Sequence, residues 1–294
     1  MRSEGMSFLE RLRETRPLLA VELRPPRRDV SSRDSLESWI DTYHAVRGLL
    51  DRDTLVLLTD SAIGQREEES LLHLTSNLGT DADPSRIAPI LTCKHALDYC
   101  LRFPQRAAEL GHRALVVLGG DQHDGVPRCV EHAYELRQII HRRSPALALG
   151  GWANPHADVA RQVAFLKAAE NTADFFLTQI VSHYDPRPID RFLEESSRQG
   201  LSLPALFGVF FYRSPTPRTL RALASFFPVP AAEVKRDLAR GGPGPVEVCA
   251  RTIAALAARG VHRVYVSNLE AHSARATLDR IAERVEVLGR EARA

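Results

Sequence analysis

The sequence predicts a single (β/α)8 TIM barrel of the α/β class, and three observations lead to that expectation. Short β-branched or apolar runs alternate with stretches of helical spacing, which indicates parallel strands joined by crossover helices. Eight such runs in 294 residues match the strand number and the length of a closed barrel. An open dinucleotide-binding sheet would carry a glycine-rich fingerprint after its first strand, and VELRPPRRD at residues 21–29 has none.

The elements follow in order along the chain. The predicted strands are residues 18–23, 54–60, 87–93, 114–119, 146–152, 175–181, 205–211 and 263–269. Amphipathic helices are predicted between them at 95–110, 128–142, 157–171, 188–198 and 246–259. A segment at 215–227 precedes another at 231–240, so we expect extra helices in the seventh crossover. Residues 1–16 are expected to form an N-terminal helix or extension, and residues 1–294 to be one domain.

Composition favours an ordinary globular enzyme. Hydrophobic residues make up 44% of the chain and charged residues 26%, and the net charge is +2. Without a basic block, nucleic acid and anionic membrane are poor candidates for a partner. We expect a cytoplasmic protein, because no run has the length of a membrane span and the N-terminus lacks a signal-peptide core. The alanine-rich stretch 250–258 would permit close helix packing in a homo-oligomer.

The four cysteines do not predict a metal site. Cys93, Cys100, Cys129 and Cys249 form no CxxC pair and no zinc spacing. We interpret them as reduced, partly buried thiols.

Several apolar strands end on a polar side chain, where TIM barrels place their chemistry. Glu22 closes the first predicted strand, just before Pro25-Pro26. A carboxyl group desolvated at the barrel rim has a raised pKa and suits a general acid near neutral pH. Since side chains alternate along a strand, Arg24 lies on the same face, and a salt bridge to Glu22 explains the local sequence equally well.

Other strand ends offer ligand-binding groups, each with a structural alternative. Asp121 follows two glycines that let a ligand approach the backbone, but a capped turn uses the same residues. Gln179, in FFLTQIV, can offer a donor and an acceptor to a heteroaromatic ring, or it can be a satisfied core amide. Trp152 can stack on a ring or pack over the barrel mouth, and His156 can be a helix cap.

Eight segments taken in order resemble the methylenetetrahydrofolate reductase family, over residues 10–282. The first four are VELRPPR, LLTDSAIG, IAPILTCKHA and LVVLGGDQ. The later four are GGWANPHAD, FFLTQIVSHYD, LPALFGVFF and VHRVYVSNLEA. Each motif alone is weak, and the eight in sequence are specific.

The resemblance implies a flavin-type barrel that passes hydride from NAD(P)H through FAD to 5,10-methylenetetrahydrofolate, giving 5-methyltetrahydrofolate. It assigns Glu22 as the general acid at N10, and Asp121 as the residue that holds the pterin and stabilises developing positive charge. Gln179 would hydrogen-bond the pterin or the flavin edge. The other implied substrate contacts are Phe211, Asn268 and Arg275. The implied cofactor contacts are Thr59, Asp60, Gly119, Gly120, Trp152, His156 and Lys167.

The chain departs from the family pattern where the cofactor phosphates bind. Ile90 stands in place of a His, and Gly119 in place of an Arg. Alanines at 168–169 stand where the family has a Lys for the flavin diphosphate, which leaves the adjacent Lys167 as the substitute. Loss of such partners weakens the binding of a diphosphate.

One folate contact also departs from the pattern, since the family's Asn-Arg pair is here Asn268-Leu269, with Arg275 as the nearest substitute. Two alternatives to the flavin-dependent reductase therefore stay open. One is a flavin-free folate enzyme that transfers hydride or a one-carbon unit directly, and the other is a non-catalytic subunit of a reductase complex. The presence of Glu22, Asp121 and Gln179 favours an enzyme.

Overall fold

Eight parallel strands form one closed barrel, in which each strand pairs with the next and β8 pairs with β1. The computed structural model describes residues 6–24, 32–59, 74–75, 78, 82–120 and 126–293, with the backbone alone at 32–35. The strands are β1 (Leu18–Leu23), β2 (Val56–Leu58), β3 (Ile87–Thr92), β4 (Ala114–Leu118), β5 (Ala148–Ala153), β6 (Phe175–Val181), β7 (Ala205–Phe210) and β8 (Arg263–Ser267). The predicted TIM barrel is confirmed.

Helices alternate with the strands around the barrel. They are α1 (Phe8–Arg13), α2 (Ser32–Leu50), α3 (Leu97–Glu109), α4 (Ala133–Arg143), α5 (Val159–Lys167), α6 (Arg187–Gln199), α7 (Pro217–Ala224), α8 (Ala231–Asp237), α9 (Gly244–Ala257) and α10 (Ala274–Glu291). The helices α7 and α8 are the extra helices predicted in the seventh crossover. Within the described part of the chain, no helix has the length and apolarity needed to cross a membrane.

Helix α4 begins five residues later than the sequence pattern predicts, and the cause is its cap. The Glu135 carboxylate accepts a hydrogen bond from the backbone N–H of His132 at 2.8 Å, which fixes the start of the helix at Ala133. Arg128 and Cys129, predicted to be helical, therefore lie in the loop after β4. This loop follows the end of β4, so its side chains lie near the end of the barrel at which the strands finish.

Large and small side chains alternate in the barrel interior. A Cβ atom on Gly208 would lie 2.5 Å from the hydroxyl oxygen of Tyr265, and one on Gly150 would lie 2.8 Å from the ring of Phe175. Both distances are shorter than packed atoms tolerate, so the two aromatic rings require glycine at the paired positions of the neighbouring strands. The interior is thus a packed core at this level rather than a channel.

Helix α1 closes the end of the barrel at which the strands begin. Phe8 and Leu12 are fully buried, and the Phe8 ring centroid lies 5.2 Å from that of Phe175 in the barrel interior. The Arg263 guanidinium of β8 donates to the backbone carbonyl of Glu14, just after α1, at 2.6 Å. Helix α1 thus packs across this end of the barrel, and the end at which the strands finish is here called the mouth.

A second core lies between the strands and the helices. It contains outward-facing strand residues such as Val21 and Val266, together with helix residues such as Ile253 of α9. Ala250 of α9 is also fully buried. Part of the alanine-rich face considered for subunit association is therefore used inside the chain.

We predict that Phe8→Ala will destabilise the protein by about 3–5 kcal/mol, because it removes a buried ring that few neighbours can replace. Equilibrium unfolding in urea, followed by circular dichroism, measures the effect.

Phe165→Ala is the matched control, since the Phe165 side chain on α5 is 53% exposed. We expect it to cost less than about 1 kcal/mol. Equal losses in the two variants would show that α1 does not close the barrel in solution.

Candidate functional site

The strand register places three residues level with one another at the mouth. Glu22 of β1 pairs with Ser267 of β8, and Ser267 pairs with Phe210 of β7. Leu18 and Ala20, which share a face of β1 with Glu22, belong to the core inside the barrel. Because strand side chains alternate, Glu22 also faces the barrel interior. The predicted general acid thus lies inside the mouth, at the end of its strand.

Burial is the main influence on the Glu22 carboxyl group and raises its pKa. A hydrogen bond with the Ser267 side chain and the positive charge of Arg24 oppose this shift without being its largest cause. The residue keeps part of its surface accessible at the mouth. Glu22 therefore holds its proton to higher pH than a solvated glutamate and remains reachable, as a general acid must.

Tyr265 fixes the strands beneath this acid. Its hydroxyl donates to the carbonyl oxygen of Thr178 at 2.7 Å, and the Thr178 hydroxyl accepts from the N–H of Gly208 at 3.0 Å. Burial raises the pKa of Tyr265, and the negative charge of Glu22 raises it further. The tyrosine is therefore a neutral donor that joins β8 to β6 below the carboxyl group.

Gln179 lies where the ladder between β6 and β7 changes register, after Leu177. Its Oε1 accepts from the N–H of Ile180 at 2.8 Å, and its Nε2 donates to the carbonyl oxygen of Phe226 at 3.0 Å. Phe226 lies between α7 and α8, so the amide holds the seventh crossover against the strand end. The predicted ligand-binding amide is at the mouth and is engaged by the protein itself.

Three further predicted residues lie at neighbouring strand ends. Trp152, on β5, is half-buried and packs against the interior core. The hydroxyl of Thr59 donates to the carbonyl oxygen of Leu23 at 3.1 Å, and His156 Nε2 lies 2.8 Å from the carbonyl oxygen of Ile180. A carbonyl oxygen only accepts, so His156 Nε2 carries the hydrogen.

Gly119 and Gly120 at the end of β4 are overlaid by two cationic side chains. A Cβ on Gly119 would lie 2.8 Å from Arg128 Cζ, and one on Gly120, where φ is +77°, would lie 2.6 Å from Lys94 Cγ. The Arg128 guanidinium donates to the Gly120 carbonyl at 2.9 Å, and Lys94 Nζ donates to the Val126 carbonyl at 2.6 Å. The position that lacks the family's arginine therefore has a guanidinium group beside it, supplied by the following loop.

Phe211 does not point into the mouth, although the sequence suggested a substrate contact there. It packs against the core between strands and helices, while the preceding Phe210 and the following Tyr212 pack in the barrel interior. Strand alternation explains the difference, because a shift of one residue reverses the face. The inward aromatic residue beyond β7 is Tyr212.

Asn268 lies at the rim but uses its amide to join two loops. Its Nδ2 donates to the carbonyl oxygen of Phe211 at 3.0 Å, and its Oδ1 accepts from Arg213 at 3.0 Å. Its φ of +74° places it in the left-handed region, which asparagine tolerates better than most residues. The geometry favours a role in shaping the mouth.

Two predicted ligand contacts are not brought to the mouth. Lys167 is the last residue of α5, and its ammonium donates to the carbonyl oxygen of Gln199, the last residue of α6. Crossover helices end where the next strand begins, so Lys167 lies at the opposite end of the barrel. Arg275 lies on α10 in the helix layer, where its Cδ is 3.0 Å from the position of a Cβ on Gly48 of α2.

Asp60 and Asp121 lie outside the described residues, so their predicted roles as a cofactor contact and as a catalytic, substrate-binding residue stay predictions.

Ser267, Tyr212 and Arg128 are functional candidates that sequence reasoning missed. Ser267 could have been found from the sequence, because it lies two residues after Tyr265 on β8 and therefore faces the same side of the strand. Among the described residues, no group of three or more His, Cys, Asp or Glu side chains could hold a metal ion.

Comparison with known proteins supports the fold. No protein-family model matches the chain, and no curated protein sequence matches it significantly. A solved structure from Clostridium thermocellum matches 93% of this chain and 96% of its own, with 16% identity and a TM-score of 0.62. That protein binds two copies of 5-methyl-5,6,7,8-tetrahydrofolic acid. PhdJ, solved with a substrate intermediate, matches 93% of this chain and 75% of its own, with 12% identity and a TM-score of 0.48.

We predict that Glu22→Gln will stabilise the protein increasingly as pH rises above 4.5, the ordinary pKa of a glutamate. The folded state holds the Glu22 proton more tightly than the unfolded chain, so wild-type stability falls as pH rises through the raised pKa. The glutamine variant lacks this titration. Urea unfolding at several pH values measures the difference between the two proteins.

Glu286→Gln, at an exposed position of α10, is the control and should show no such trend. A stability difference between Glu22→Gln and wild type that stays constant across this pH range would contradict the desolvation of Glu22.

Proposed function

We propose that the mouth of this barrel binds a reduced folate and that Glu22 is the general acid that acts on it. The observation that carries the proposal is the inward-facing Glu22 carboxyl group, whose pKa is raised by burial while part of the residue stays accessible. The eight-segment resemblance to the methylenetetrahydrofolate reductase family supports it. Folate binding by the Clostridium thermocellum barrel, which shares the fold, is consistent with it.

The reaction we propose is the reduction of 5,10-methylenetetrahydrofolate to 5-methyltetrahydrofolate. Glu22 gives its proton to N10, the bond from N10 to the bridging carbon breaks, and an iminium forms at N5. A hydride from NAD(P)H then reaches that carbon and completes the methyl group, leaving NAD(P)+. The acid must be protonated before the bond breaks, and burial favours that state by raising the pKa of Glu22 above its ordinary value.

Ser267 and Gln179 would position the acid and the substrate. Ser267 holds the Glu22 carboxyl through its hydrogen bond, on the neighbouring strand at the same level. The Gln179 amide has the donor and the acceptor that a pterin edge requires, once it exchanges the Phe226 carbonyl for the ligand. Asp121 is proposed as the second contact to the pterin on the resemblance alone.

The described residues fit FAD in part. Arg128 and Lys94 lie over Gly119 and Gly120 and bring cations for a diphosphate, and Trp152 offers an aromatic face. Lys167 is at the opposite end of the barrel and adds nothing. We therefore propose FAD as the cofactor, with Thr59, Gly119, Gly120, Trp152 and His156 as its contacts. When bound, it would relay hydride from NAD(P)H to the folate.

A flavin-free folate enzyme is the second candidate, and the position of Lys167 favours it. A diphosphate carries two negative charges, and one of the cations expected to meet them is absent from the mouth. In this case hydride would pass directly from NAD(P)H to the folate. The Clostridium thermocellum protein, which has this fold and binds two copies of its folate, is consistent with a folate protein of this fold.

We expect purified protein to oxidise NAD(P)H only when 5,10-methylenetetrahydrofolate is present. Absorbance at the nicotinamide band measures the rate, and the flavin absorbance before and after addition of FAD separates the two candidates. Flavin colour that bleaches with NAD(P)H and returns with the folate supports the FAD-dependent reductase.

Folate-dependent oxidation in colourless protein that does not take up FAD would favour direct transfer. Binding of 5-methyltetrahydrofolate without any turnover would support the non-catalytic alternative. Absence of both binding and turnover would refute the folate assignment.

We predict that Glu22→Gln will lower kcat at least roughly a hundredfold, while folate affinity changes little, because the amide keeps its shape but has no proton to give. Steady-state kinetics and direct titration with 5-methyltetrahydrofolate measure the two effects.

Ser267→Ala is the informative companion, since it keeps the acid and removes the hydrogen bond that lowers its pKa. Activity requires protonated Glu22 and falls as pH rises through that pKa, so this variant should lose activity at a higher pH than wild type. An unchanged pH profile in Ser267→Ala would show that Ser267 does not influence the protonation of Glu22.

A further inference from the structure

Tyr212, two residues beyond the end of β7, has a hydroxyl group that the protein buries without a partner. The residue is 4% exposed, and no group among the described residues forms a hydrogen bond with the hydroxyl. A hydroxyl removed from water costs free energy unless another polar group replaces the water. Phenylalanine would fill the same space without that cost, so the hydroxyl indicates a partner that the described part of the chain does not supply.

The position of Tyr212 connects it to the acid. Its ring packs edge-on against Phe210, with centroids 5.0 Å apart and planes at 62°. Phe210 is paired with Ser267, which is paired with Glu22, so Tyr212 lies just above the level of the acid. The backbone between them is fixed, because the N–H of Phe211 donates to the Ser267 carbonyl at 3.0 Å.

The surroundings of Tyr212 define the chemistry of its missing partner. Burial raises the pKa of Tyr212, so the phenol stays protonated at physiological pH and is available as a donor. Its partner must then accept, as a carbonyl oxygen or a ring nitrogen does. Phe210 and Phe227, with ring centroids 5.1 Å apart, line the same region, and aromatic walls favour a flat ring.

We propose that the Tyr212 hydroxyl donates a hydrogen bond to a carbonyl oxygen or ring nitrogen of the flat heterocycle bound at the mouth. The inference rests on the proposed folate function and adds to it a residue that binds the ring. Tyr212 favours rings that present a hydrogen-bond acceptor toward β7. Glu22 contacts the same ligand from β1.

Contact with the ligand depends on the seventh crossover. Phe227 packs on Phe210 in the same cluster as Tyr212, and the carbonyl of the adjacent Phe226 accepts from Gln179 at 3.0 Å. A ligand that takes the Gln179 amide breaks this bond and frees the seventh crossover from the end of β6. Phe227, which packs on the same Phe210 ring as Tyr212, can then move to admit the ligand.

The test compares Tyr212→Phe with wild type in binding 5-methyltetrahydrofolate and 6-methyltetrahydropterin, which has the ring without the tail. Isothermal titration gives the affinities, and thermal unfolding gives the stability. We expect the variant to fold with an unchanged or higher Tm and to bind both ligands roughly five- to tenfold more weakly, the loss of one hydrogen bond. Tyr43→Phe on α2 makes the same chemical change in the helix layer and should alter neither affinity.

Unchanged affinities in Tyr212→Phe, with wild-type binding intact, would overturn the inference and leave the proposed function standing. A lower Tm with unchanged affinities would also overturn it, since the hydroxyl would then bond to an internal water. Weaker binding of the folate alone would place Tyr212 against the tail rather than the ring and overturn it as stated. If wild type binds neither ligand, the proposed function fails, and the inference fails with it.

Discussion

Closure of the barrel is the constraint on which the rest of the molecule depends. Once β8 pairs with β1, every second strand residue faces an interior of fixed width, and neighbouring inward residues must complement one another in size. Gly208 is paired with Tyr265 for this reason, and Tyr265 in turn supports the level at which Glu22 lies. The packing below the mouth therefore sets the position of the carboxyl group above it.

The mouth combines groups that a purely structural barrel would not keep. Glu22 holds a carboxyl group in a desolvating position, and Tyr212 encloses a hydroxyl with no partner among the described residues. Each reduces stability on its own, and both lie within one layer of the same opening. Their common location supports a polar ring ligand as the group that compensates them.

The sequence predicted the strands well because buried parallel strands are short, apolar and regularly spaced, and it located Glu22 because a carboxylate interrupts such a run. It could not show that Tyr212 rather than Phe211 faces the barrel interior, since that depends on the register of β7 against its neighbours. It placed Arg128 in a helix because the His132–Glu135 cap is a local event that periodicity does not report. Lys167 was chosen by distance along the chain, whereas the direction of α5 carries it away from the mouth.

The pairing of Glu22 with Ser267 has a consequence for how the protein is made. Glu22 leaves the ribosome with the first strand, and Ser267 with the last. Until the final strand docks, the carboxyl group lacks its hydroxyl partner, and the sheet beside it is an open edge. The surroundings of the acid are therefore complete only at the end of synthesis, so a nascent or C-terminally truncated chain would hold most of the barrel's residues without the closed mouth that the proposed activity requires.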